Sequence, residues 1–285
     1  MILLIDAGNT RIKFGWLQAP GPLADAAERR EREPLALAHA DLEAQLPQWL
    51  ARLPAPPRKA IGVNVAGNGM AARIQALLEP WTCRIDWVRG TPAAAGVING
   101  YRDPSQLGAD RWLALIGLAA HARHLAESPL LLASFGTATT IDSLGPVQTC
   151  SDSRAEAGAR RFHGGLILPG VRLMHASLAS GTANLPMAQG TVAHHPDHTE
   201  QAIASGIAAA QAGALLRQWH IVRETCAAPP QIFVSGGAWF EIREEVDRLF
   251  SQACADQGHT ASAIRWLPSL VLDGLARLAQ GSDAS

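Results

Sequence analysis

Three observations predict an α/β fold in two related halves. Apolar runs of strand length alternate with helix-period segments along the chain. Two turns of one type, Asp6-Ala7-Gly8-Asn9-Thr10 and Ser134-Phe135-Gly136-Thr137, each follow an apolar run and lead into a second strand-like run. A length of 285 residues favours two domains. The expected domains are 1–120 and 121–285, with mixed sheets and a cleft between them.

Taken in order, residues 2–5 form the first strand, and the turn at Gly8 opens the second. Residues 20–34, rich in Ala, Pro and charge, read as a loop or an excursion between strands. A helix is expected over 41–53, with Asp41 as its cap and Leu42, Leu46, Trp49, Leu50 and Leu53 on one face. The prolines at 54, 56 and 57 stop it. A strand over 60–66 ends at Gly67-Asn68-Gly69, a helix follows over 70–78, and a strand over 84–88. A helix over 109–125 would bridge the halves.

The second half opens with a hairpin of strands 130–133 and 139–144, and Gly145-Pro146 reads as a turn towards a third strand near Val147. Residues 151–158 are polar and read as a loop, and residues 161–168 as a strand. A long helix over 200–224 would turn Ile203, Ile207, Leu215 and Trp219 to the core. Residues 232–234 form a buried strand, and a helix over 240–257 ends at Gly258, a suitable C′ residue. A strand over 264–267 precedes a last helix, opened by Pro268 and carrying Leu270, Val271, Leu275 and Leu278.

Composition excludes several classes. The formal net charge is −1, so the chain carries no electrostatic footprint for nucleic acid. No stretch approaches the roughly 20 apolar residues that span a bilayer, and no basic n-region precedes the first strand. Cys83, Cys150, Cys226 and Cys254 are scattered without a CxxC, which suits reduced thiols in a cytoplasmic protein.

The turns carry the chemistry. A glycine bend surrounded by amide and hydroxyl groups aims backbone N–H groups at a phosphate. One such turn in each half suggests a nucleotide held between related domains. Asp6 alone also suits an Asx turn; paired with Gly136-Thr137, a phosphate-site carboxylate is the better reading. Lys13 stays open between a solvent-facing strand residue and a phosphate partner, since no GxxxxGK[ST] loop is present. The run His194-His195-Pro196-Asp197-His198 reads as a polar loop rather than a zinc site. Ala202, Gly206, Ala210 and Ala214 form a small-residue stripe that suits close packing in a core or across a dimer interface.

Three further segments complete a pattern: Gly108-Ala109-Asp110-Arg111-Trp112, Gly164 to Gly170, and Ile232 to Ala238 with its Ser235-Gly236-Gly237. In this order, from Asp6 to Gly237, the set resembles the type III pantothenate kinases. These belong to the superfamily of acetate and sugar kinases, heat-shock proteins and actin, and begin coenzyme A synthesis. The resemblance implies two tandem ribonuclease H-like (actin-like ATPase) domains and transfer of a phosphoryl group from ATP to pantothenate. It implies ATP phosphates on Asp6, Ala7, Gly8, Asn9, Thr10, Arg11, Ile12, Lys13 and Thr137, and Mg²⁺ organised by Asp6 through water. It further implies pantothenate against Tyr101, Gly108, Ala109, Asp110, Arg111 and Thr182, adenosine against Gly236 and Gly237, and a homodimer.

Asp110 is the expected general base, because a primary alcohol attacks well only as its proton leaves. Arg111 offers a planar fork for the substrate carboxylate. One departure stands out. The family's second loop usually reads Asp-x-Gly-Thr, and Ser134 stands where the carboxylate implied to bind K⁺ or NH₄⁺ would be. Weak or absent dependence on a monovalent cation is therefore expected. Homologues in this family have been described as accessory factors for transcription, so a non-catalytic protein on the same fold is the alternative reading. A related sugar or acetate kinase is another.

Overall fold

The first strand is apolar at every position from Ile2 to Ile5 because both of its faces are covered. In the computed structural model, which describes residues 1–18, 30–31, 33–148, 158–188, 190–256 and 263–281, β1 (Ile2–Ala7) is the middle strand of five. Alternate side chains point to opposite faces. Leu3 and Ile5 pack with α1 (Leu42–Leu50) and α2 (Asn68–Leu78), whereas Ile2 and Leu4 pack with α3 (Ala109–His121) and α7 (Leu270–Gly281). β2 (Arg11–Leu17) and β3 (Leu35–Ala38) extend the sheet antiparallel on one side. On the other side β4 (Lys59–Asn64) and β5 (Arg84–Trp87) run parallel to β1 and to each other, giving the order β3-β2-β1-β4-β5. A short hairpin, β6 (Ala93–Ala94) and β7 (Val97–Ile98), turns through Ala95 and Gly96, both at positive φ.

The later part repeats the scheme. β8 (Leu130–Phe135) pairs antiparallel with β9 (Ala138–Val147), which neighbours β10 (Arg160–Pro169). β11 (Gln231–Ser235) runs parallel to β8, and β12 (Arg265–Trp266) parallel to β11. Read from β10 to β12, the order is β10-β9-β8-β11-β12, strand for strand that of β3-β2-β1-β4-β5. Three helices accompany this sheet: α4 (Val171–Gly181), α5 (Thr199–Cys226) and α6 (Trp239–Ala255). Ile203, Ile207, Leu215 and Trp219 of α5 lie in its core with Phe135, Val234 and Phe250. The exposed side of α5 carries Ala202, Gly206 and Ala210.

Two compact units result. One comprises Met1–His124, Thr149–Arg160 and Ser269–Ser285; the other comprises Leu125–Gln148 and Arg161–Pro268. The last helix thus returns to the first unit, where it crosses α3 at very close range. A methyl group on Gly117 would overlap the Leu270 carbonyl, and one on Gly274 would overlap the Leu113 carbonyl. Two glycines let the backbones meet. The same unit holds a chain of partly buried polar groups. Arg30 Nε donates to Asp273 Oδ1 at 2.8 Å, Asp273 Oδ2 lies 2.9 Å from His121 Nε2, and Arg30 also pairs with Glu31. Burial pushes the Glu31 carboxyl up to about 7 against the pull of Arg30 and of the Trp16 N–H.

Several local expectations are corrected. Gly145-Pro146 is no turn: β9 runs through it to Val147. Gly145 is small because His163 Nε2 lies 2.5 Å from where a Cβ would stand. Asp41 precedes α1, but its carboxylate makes no capping bond, and α1 ends at Leu50. α3 stops at His121, followed by a short 3₁₀ turn at Arg123–Leu125. α6 ends at Ala255, and Gly258 lies outside the described residues, as do Cys150 and most of 20–34 and 151–158. β3 and α4 were not foreseen. Among the described residues no helix is long and apolar enough to cross a membrane.

Candidate active site

The first turn is rigid where it meets the sheet and open at its tip. The Gly8 N–H donates to the Arg11 carbonyl at 3.1 Å, and the Val65 N–H donates to the Ala7 carbonyl at 2.9 Å. The Gly8 carbonyl lies 2.9 Å from His39 Nε2. These bonds fix the backbone, while the side chains of Asn9, Thr10 and Arg11 remain exposed. A scaffold-held loop with a solvent-facing tip is where ligand contacts concentrate.

Asp6, the penultimate residue of β1, lies directly opposite Lys13 on β2. Desolvation raises the Asp6 carboxyl to about 6, with a smaller upward push from Asp110, while the Lys13 ammonium draws it down. Among the described residues no group of three or more His, Cys, Asp and Glu could cage a metal. One carboxylate completed by water and phosphate oxygens is the arrangement Mg²⁺ commonly takes, so Asp6 fits that ion.

The GADR segment opens α3. Gly108 precedes the helix, and a Cβ there would sit 2.8 Å from Asp110 Oδ1. The missing side chain leaves room for the Asp110 carboxylate over the first turn, where it accepts the Arg111 N–H at 2.8 Å. The helix N-terminus favours a negative charge at this place. Arg111 is buried, donates to Tyr101 Oη at 3.2 Å, and holds its guanidinium 5.9 Å from the Tyr101 ring centre. The structure thus brings Tyr101 and Arg111 together, and Asp110 is the residue before Arg111.

Asn99 supports this pair from outside the predicted site residues. Its side-chain amide donates to the carbonyls of Thr91 and Pro104, and its Oδ1 accepts the Tyr101 N–H at 3.0 Å. It therefore holds the Tyr101 loop in shape. Asp103 caps the following 3₁₀ turn (Pro104–Gln106) by accepting from the Ser105 N–H and hydroxyl. An asparagine near glycines reads as an ordinary turn residue, so sequence alone gave no signal for this role.

In the second unit, Ser134, Phe135, Gly136 and Thr137 form the corresponding turn. Ser134 is registered against Thr140 on one side and Ser235 on the other. The Gly170 N–H donates to the Thr137 carbonyl at 3.1 Å, and a methyl group on Gly170 would overlap that turn. Gly236 stands at φ +91°, with the Phe135 carbonyl where a side chain would be, and the Ala238 N–H donates to that same carbonyl at 3.2 Å. The Gly136-Thr137 and Gly236-Gly237 turns are therefore joined backbone to backbone.

Asp142, on β9 beyond Thr140, is a buried carboxylate that the sequence reading passed over. Thr182 ends α4 on the surface, where its hydroxyl donates to the Leu178 carbonyl and accepts the Leu185 N–H. In the histidine run, His198 pairs with Asp197 at 2.6 Å, both exposed.

Comparison with known proteins identifies the family. A sequence profile of the family described as type III pantothenate kinase matches residues 2–221. A Bordetella bronchiseptica protein named type III pantothenate kinase is 49% identical over 279 residues, covering 98% of this chain and 97% of its own. One of the same name from Aromatoleum aromaticum is 38% identical over 285 residues, covering 100% of both. Among solved structures, a candidate N-acetylmannosamine kinase from Listeria monocytogenes superposes with a TM-score of 0.51 at 12% identity, over 99% of each chain. That likeness bears on fold alone, and it accords with two tandem ribonuclease H-like units.

Proposed function

The chain belongs to the type III pantothenate kinase family, and we propose on that premise that it transfers the γ-phosphoryl group of ATP to the primary hydroxyl of pantothenate. The products would be ADP and 4′-phosphopantothenate, the first committed compound of coenzyme A synthesis. One observation carries the assignment of roles. Asp110 stands at a helix N-terminus, next in sequence to Arg111, whose guanidinium Tyr101 holds, and in the same unit as the Asp6 turn.

Asp110 accepts the hydroxyl proton as the new O–P bond forms and the bond to the β-phosphate oxygen breaks. Arg111, held by Tyr101, binds the pantothenate carboxylate, with Gly108, Ala109 and Thr182 as further contacts. Backbone N–H groups from Gly8 to Lys13 and the Thr137 hydroxyl bind phosphate oxygens. Asp6 orients the water shell of Mg²⁺, which supplies charge neutralisation on the phosphates when bound. Gly236 and Gly237 lie against adenosine. Ser134 offers only a neutral oxygen to a monovalent cation. We place the enzyme in the cytoplasm as a homodimer; the exposed small-residue face of α5, at Ala202, Gly206 and Ala210, supports self-association.

The test is ADP release from ATP and Mg²⁺ with and without pantothenate, in wild type and Asp110→Asn. Pantothenate-dependent release that falls about 10²- to 10⁴-fold in the variant, with nucleotide binding kept, supports substrate and base together. A wild type that binds ATP but shows no pantothenate-dependent release would overturn the reading.

A further inference from the structure

Two large aromatic rings lie largely exposed on the surface of the second unit. Phe240 is 62% exposed and Trp266 45% exposed, and their ring centres stand 5.4 Å apart at 61°, an edge-to-face pair. The neighbouring Trp239 shows the contrast: it is buried and stacks on Phe135 at 5.9 Å and 22°. Core packing is thus met by Trp239, and Phe240 faces outward. Contiguous exposed aromatic surface offers a face for a ligand.

Its position suggests what it binds. Trp266 lies on edge strand β12 in register with Val234, two residues before Gly236, and the Leu267 N–H donates to the Val234 carbonyl at 2.8 Å. Phe240 is the second residue of α6, three beyond Gly237. The pair therefore flanks the Gly236-Gly237 turn. A Cβ built on Gly237 would meet nothing within 4 Å, so the backbone there faces open space. On its other side the turn is stitched to Phe135 of the second phosphate turn through Ala238 N–H and the close contact of Gly236. Phosphate turn, glycine turn and aromatic pair follow one another within a single unit.

We propose that Phe240 and Trp266 are a stacking platform for the base of the nucleoside triphosphate, and that they set nucleotide preference. The proposal rests on reading Gly236-Gly237 as the adenosine turn. A ring face or edge recognises the π-face of any base, and a purine covers more of it than a pyrimidine. The platform therefore favours ATP and GTP over CTP and UTP and separates the two purines only weakly.

The experiment uses the full chain. Calorimetric binding of ADP and steady-state KM values for ATP, GTP, CTP and UTP, at saturating pantothenate, are compared among wild type, Phe240→Ala, Trp266→Ala and Trp266→Phe. The expected result is a KM for ATP raised about tenfold in each alanine variant, with the KM for pantothenate within twofold of wild type. The purine-to-pyrimidine ratio should collapse towards one, and Trp266→Phe should restore most of the preference. Wild-type turnover with alanine variants that keep both KM and ratio would overturn the platform and leave the kinase reading standing. A wild type that neither binds ADP nor turns over would overturn both. Alanine variants that become monomeric with unchanged KM for ATP would assign the rings to a second copy of this chain instead.

Discussion

Lys13 faces Asp6 across the β1–β2 ladder, and its ammonium is the main force holding down a carboxyl that burial drives up to about 6. Side chains directly opposite in an antiparallel pair lie on the same face, so the lysine shares a face with Asp6. Sequence alone leaves a strand lysine equally suited to solvent. The consequence is a pH limit. With Asp6 holding Mg²⁺ through water as proposed, its protonation below about 6 would weaken that hold, so the KM for Mg·ATP should rise as pH falls through that value. Removing the positive charge with Lys13→Met removes a downward pull, so the midpoint of this acid limb should move above 6. A pH–rate series on both proteins measures it; a midpoint that stays in place would rule out Lys13 as the group that tunes Asp6.

Tyr101→Phe deletes only the hydroxyl that accepts from Arg111 at 3.2 Å. A hydrogen bond to a charged group contributes about 1.5–3 kcal/mol. The expected effect is a KM for pantothenate raised on the order of tenfold or more, with the KM for ATP unchanged, since no proposed phosphate contact involves Tyr101. Equal losses for both substrates would place Tyr101 in general support of the fold.

The crossing of α3 and α7 leaves no room for a methyl group at Gly274, where the obstacle is the Leu113 carbonyl of the facing backbone. Backbone cannot swing aside as a flexible side chain can. Gly274→Ala should cost about 3 kcal/mol, read as a fall in Tm of roughly 6–12 °C. An unchanged Tm would mean that the helices separate at no expense.

Replacing K⁺ by a large organic cation should change turnover by less than about twofold, because Ser134 has no charge to pair with a monovalent ion. Assays in matched ionic strength decide this. A steep loss would show that another oxygen, such as the buried carboxylate of Asp142 on β9, takes the role.

The features legible in the sequence were those carried by neighbouring residues. The continuous apolar run of β1, the glycine bends at Gly8 and Gly136, and the helix-period pattern of α5 each follow from local chemistry, and their order along the chain gave the family and the two-part fold. The candidate site was legible to the same extent: Asp6, Asp110, Arg111 and Thr137 sit in short motifs whose residue types match phosphate and carboxylate chemistry. Gly145 misled because a glycine before a proline usually means a turn, whereas here the small residue admits His163 from another strand.

What only the tertiary structure decided depends on residues far apart in sequence. Arg30 meets Asp273 across 243 positions; Asn99 shapes the Tyr101 loop by reaching back to Thr91 and forward to Pro104; Trp266 meets Phe240. Each pairing depends on strand order and register, and these settle only when whole elements bury their apolar faces together. By itself the sequence determined which groups can do the chemistry. Folding decided which of them share a place, because electrostatic and hydrogen-bonding effects act over a few ångströms of space whatever the distance along the chain.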